Sequence, residues 1–77
     1  MNGRGYNMTY EEKLDLIQSY IDDIKNYNND HELSANERQH VRRALQTYSN
    51  LFDEVERGKL DPDILHENIT SFLYMLQ

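Results

Sequence analysis

The stretch from Ser34 to Gly58, SANERQHVRRALQTYSNLFDEVERG, constrains this chain more than any other, because it contains the start, body and stop of one helix. Read at about 100° per residue, Val41, Ala44, Leu45, Tyr48, Leu51, Phe52 and Val55 fall within an arc of roughly 120°. Arg, Gln, Asp and Glu residues take the remainder. Ser34 can accept from the backbone N–H of Glu37, whose carboxylate can reach back to Ser34, and Gly58 tolerates φ > 0 past the end. A rod with one apolar stripe has to bury that stripe against other elements, and two further stretches of the chain supply them.

Thr9 opens the first, with Glu12 three residues on as its capping-box partner, and Leu14, Ile17, Ile21 and Ile24 form a seam at spacings of 3, 4 and 3. Asp61 opens the other as N-cap, with Pro62 at the first helical position and Leu60 and Leu65 spaced as a hydrophobic staple. Ile64, Leu65, Ile69, Phe72, Leu73, Met75 and Leu76 then cover about half the circumference, more than one neighbour needs. The polar connection from Asn28 to Leu33 is short enough to make the first two helices antiparallel neighbours. The expected fold is an all-α, small three-helix bundle, up-down-up, with helices near 10–27, 35–57 and 62–76. Residues 9–77 form its single domain and residues 1–8 a mobile N-terminal arm. Its core is expected to join Ile17, Ile21, Leu45, Tyr48, Leu51, Phe52, Leu65 and Phe72.

A chain of 77 residues buries only about 60% of the surface its unfolded form exposes, so self-association would add to a marginal core. With no cysteine there is neither a disulfide framework nor a thiolate metal site. The first residues, MNGRGYNM, lack the pattern of a secretory signal or a myristoylation site, and no apolar run is long enough to span a bilayer. The expected location is cytoplasmic, without membrane contact, and Asn, Tyr, Ile and Lys usage suggests a low-GC bacterium or its phage. Eight basic against 14 acidic residues give a net charge of −6, which repels phosphate backbones and excludes general nucleic-acid binding.

Two apolar features exceed what one core requires. Leu16, Tyr20 and Tyr27 lie on one flank of the first helix, off its main seam, and Glu12 and Asp23 fall on the same strip. Tyrosines rimmed by carboxylates are suited to anchoring a basic partner. The broad arc of the third helix makes Phe72, Tyr74, Met75 and Leu76 the candidate contact of a homodimer.

The first connection carries a further pattern. In NYNNDHELSANE, residues 26–37, Asn26, Asn28, Asp30, Ser34 and Glu37 stand at the first, third, fifth, ninth and twelfth positions of a twelve-residue loop, with Glu32 at the seventh and Leu33 at the apolar eighth. This resembles the calcium loop of the EF-hand family, with Asn26 in place of the first aspartate and His31 in place of the turn glycine. The resemblance implies a calcium-responsive helix-loop-helix with Asn26, Asn28, Asp30, Glu32, Ser34 and Glu37 as ligands. A polar turn capped by Ser34 and Glu37 gives the same residues.

Other chemistry is thin. His31, His40 and His66 are scattered, and although Asp63, His66 and Glu67 share a face, they do not make a closed ligand set. Arg38, Arg42 and Arg43 occupy the first half of the second helix, the reverse of what the macrodipole prefers, and pairing with Asp22 and Asp23 is the expected compensation. No metal, cofactor or catalytic residue is expected. The expected function is a non-enzymatic protein–protein interaction module, a small acidic regulator, inhibitor or adaptor whose partner has a basic surface. The alternatives are the degenerate EF-hand-like module and an acidic inhibitor that mimics nucleic acid.

Overall fold

The computed structural model describes residues 8–30 and 32–76. They form α1 (Tyr10–Asp30), α2 (Ala35–Glu56) and α3 (Pro62–Leu76), each packed against both of the others. The direction reverses at each connection, which is the up-down-up bundle the sequence predicts. The expected arm over residues 1–8 lies, apart from Met8, outside the described residues.

All three helix starts are built as their sequences dictate. The Thr9 hydroxyl accepts from Glu12 N–H at 3.1 Å while the Glu12 carboxylate accepts from Thr9 N–H at 2.8 Å. Ser34 and Glu37 repeat that reciprocal pair at 3.2 and 3.0 Å. Asp61 accepts from Asp63 N–H at 2.9 Å. At the end of α2, Lys59 N–H donates to Glu54 O and Gly58 N–H to Val55 O, both at 2.9 Å, with Gly58 at φ +78. This Schellman closure satisfies carbonyls that the helix leaves unpaired.

α1 runs three residues past the expected end at Tyr27. Its last turn holds no basic residue, and the Arg38 guanidinium reaches across from α2 to donate to Asn28 O. A cation on a C-terminal carbonyl complements the helix dipole, so the seemingly misplaced charge at the start of α2 serves the end of α1.

The core is centred on Val41, Tyr48 and Val55 of α2, all buried and seven residues apart. Ile17, Ile21 and Ile24 of α1 and Leu65 and Ile69 of α3 close around them. The expected core needs correcting at Leu45, Leu51, Phe52 and Phe72, which are half-buried and pack against that centre from its edges. On α2 these flanking positions lie about 40 to 60° off the Val41–Tyr48–Val55 line, so they fill the grooves toward α1 and α3 instead of the axis. Leu65→Ala should therefore cost about 2 to 5 kcal/mol of unfolding free energy, while the same truncation at Leu51 should cost less than about 2 kcal/mol, as measured by chemical denaturation.

Candidate functional site

Because α1 and α3 run parallel, their corresponding ends meet. Lys13 pairs with Asp63 at 3.0 Å near their starts, and Tyr27, Met75 and Leu76 line one groove at their ends. Between those points the flank of α1 that carries Tyr20 and Tyr27 faces α3. Tyr20 packs its ring on His66 with centroids 5.5 Å apart and planes inclined by 58°. Tyr20 and Tyr27 are both half-buried against the core, Leu16 is also half-buried, and Glu12 and Asp23 are exposed. The strip from Glu12 to Tyr27 is thus not a row of exposed anchors. In a three-helix bundle each helix has two neighbours, and the second apolar ridge of α1 is the face turned to the second neighbour.

At the end of the bundle the same geometry leaves a groove of about 450 Å³. Tyr27 reaches it from α1, Leu33 from the connection, His40 and Val41 from α2, and Met75 and Leu76 from α3. The exposed Asn36 and Glu37 complete its lining. Glu37 is held by the capping box, and the hydrogen bonds from the Ser34 backbone, then its side chain, keep its carboxyl below the ordinary glutamate value. His40 packs on Phe72 with ring centroids 6.1 Å apart, and Phe72 meets Tyr48 on its other side at 5.6 Å. Burial pushes the Tyr48 phenol above its ordinary value, and its hydroxyl points at Asn68 O, 3.4 Å away.

The candidate dimer contact also divides. Phe72 is half-buried in the ring stack and Leu76 is half-buried against the core, whereas Tyr74 and Met75 are 82% and 77% exposed. Ile64, at 55%, is the other exposed large apolar side chain of α3.

The calcium loop is not formed. The α1 backbone continues to Asp30, and residues two apart on a helix point about 200° apart, so Asn26 and Asn28 cannot converge on one ion. Ser34 and Glu37 are engaged with each other. His31 lies outside the described residues. His66 is stacked on Tyr20 and Asp63 is paired with Lys13, so the Asp63, His66 and Glu67 face does not gather. Among the described residues no three His, Asp or Glu side chains group as metal ligands.

The pairing expected between the arginines and Asp22 or Asp23 is absent among the described residues, whose ion pairs are Lys13 with Asp63 and Arg57 with Asp53. Asp22 instead accepts from Gln18 at 3.3 Å. Arg42 and Arg43 stand exposed on the outer face of α2, opposite its buried line, and so turn away from α1.

The sequence marks Val41 as part of the α2 stripe, Leu33 as the apolar residue in the polar run NNDHELS and His40 as one of three scattered histidines, but assigns none of them to a groove, and Asn36 carries no signal at all. No described helix is long and apolar enough to cross a membrane. Comparison of the chain with protein-family profiles, with curated proteins and with solved structures gives no match.

The capping box at the groove makes the site pH-sensitive. A depressed carboxyl contributes fully above the ordinary value of 4.5 and loses its contribution as pH falls through the lower folded-state value. An acid titration followed by amide NMR should show Ser34 and Glu37 N–H moving together below that range, and Glu37→Gln should abolish the coupled step.

Proposed function

We propose that the chain is a non-enzymatic protein–protein interaction module, a small acidic regulator, inhibitor or adaptor that works in the cytoplasm. Its groove takes one apolar side chain from a basic partner segment. The observation that carries this reading is the groove itself, an open pocket whose surface is about half apolar and half polar, with a carboxylate and an imidazole in its lining. Apolar walls with a few placed polar groups are what an anchor residue requires.

Charge supports a basic partner. Glu32 and Glu37 are exposed on either side of Leu33 and Ser34, and Glu11, Asp15, Asp22 and Asp23 are exposed on α1 without an ion-pair partner among the described residues. Such a field speeds encounter with a cationic surface and is screened by salt. The bundle measures 45 × 27 × 15 Å, so thin a body that an enclosed, water-excluding reaction site has little room.

The acidic face of α1 favours a second reading, an inhibitor that mimics nucleic acid. The two are separated by selecting random peptides on the immobilised chain and titrating the winners by NMR. The groove reading predicts peptides with one large apolar residue beside Lys or Arg, shifts at Leu33, His40 and Val41, and a loss of about tenfold or more in affinity for Leu33→Asp with its far-UV spectrum unchanged. Shifts confined to Asp15, Asp22 and their neighbours would contradict it and favour the mimic.

A further inference from the structure

The outer face of α3 carries a second concavity, distinct from the groove. Ile64, Glu67, Asn68 and Ser71 line a depression of about 270 Å³. They stand at i, i+3, i+4 and i+7, the four-residue hole into which one side chain of a facing helix inserts. The same helix carries a matching side chain. Met75 is 77% exposed and lies within about 40° of Ile64 and Ser71 around the helix, so hole and knob share one face. The hole is centred between Glu67 and Asn68, about as far before Ser71 as Met75 lies after it.

That symmetry selects the occupant. We propose that α3 is the contact of a weak antiparallel homodimer, in which Met75 of each chain seats in the depression formed by Ile64, Glu67, Asn68 and Ser71 of the other, with the twofold axis beside Ser71. A closed two-chain contact needs one patch that complements itself, and this one does so in the antiparallel sense. Charge fixes the same sense. The charged residues of α3 and its cap, Asp61, Asp63 and Glu67, all precede Asn68, and Phe72 to Leu76 carry none. An antiparallel pair lays the acidic half of one helix over the neutral half of the other and opposes the helix dipoles, while a parallel pair would set acid against acid.

Details of the face agree. Ser71 at the crossing is small enough for close approach, and the flexible Met75 thioether adapts to a shallow hole. Tyr74, 82% exposed, would flank the crossing beside Glu67 of the second copy, its ring covered and its hydroxyl wet. One helix face is a small contact, at the low end of specific interfaces, hence the weak association. This inference goes beyond the groove reading; Met75 also lines the groove, but the variants at Ile64 and Ser71 lie outside it, so loss of the dimer in them is distinguishable from loss of peptide capture.

The test is sedimentation equilibrium of the full chain from ten to several hundred micromolar, with single-cysteine cross-linking in a chain that has no native cysteine. The expected result is a concentration-dependent dimer whose dissociation constant rises about tenfold or more in Ser71→Arg, with unchanged helicity. Under mild oxidation Ser71→Cys should cross-link, and Ile64→Cys should not, because its two copies stand about 21 Å apart along the antiparallel pair. A monomer at several hundred micromolar overturns the proposal. So does cross-linking of Ile64→Cys as fast as Ser71→Cys, or a dimer that disappears when residues 1–7 are deleted.

Discussion

The insertion of one line of α2, Val41, Tyr48 and Val55, between the isoleucines of α1 and the Leu65 and Ile69 ridge of α3 is the contact on which everything else depends. A bundle of this size cannot hide apolar area in depth, so each helix must turn two flanks as well as a centre toward its neighbours. That requirement consumes Tyr20, Tyr27 and Phe72, which in isolation resemble binding residues. What it cannot consume lies where the helices end or face outward. The groove and the outer face of α3 are two such places where apolar surface is left over.

The polar chemistry of the chain is likewise given to the fold. Glu12 and Glu37 close capping boxes, Arg38 covers the carbonyl end of α1, and the Tyr10 hydroxyl donates to Val55 O at 2.6 Å, tying the start of α1 to the end of α2. Each contact satisfies a backbone group that a short helix leaves open. The reversed charge order of α2 makes sense only across the connection, since its early arginine serves a different helix from the one that carries it.

Helix existence, type and most boundaries were legible in the sequence because caps and periodicity are local signals: Ser34 with Glu37, Asp61 with Pro62, and Gly58 each specify an end without reference to the rest of the chain. The end of α1 was not, because its stabilising cation comes from Arg38 in another helix. Which stripe residues would be fully buried was legible only in part. An apolar arc shows that Leu45, Leu51 and Phe52 face inward, but not that the line through Tyr48 would take the centre. The groove joins Tyr27, Leu33, His40 and Met75 from four parts of the chain, and no spacing within one segment encodes such a meeting. The twelve-residue calcium pattern misled for the opposite reason, since Asn26, Asn28 and Asp30 match a loop by spacing yet continue a helix.

Native-state hydrogen exchange tests most directly whether the three helices share one core. If they do, the slowest amides at Ile21, Tyr48 and Ile69 should exchange with opening free energies that agree within about 1 kcal/mol and equal the global unfolding value. Amides around Ile69 exchanging through an opening several kcal/mol easier than that of Tyr48 would mean that α3 is only loosely docked, and would contradict the account.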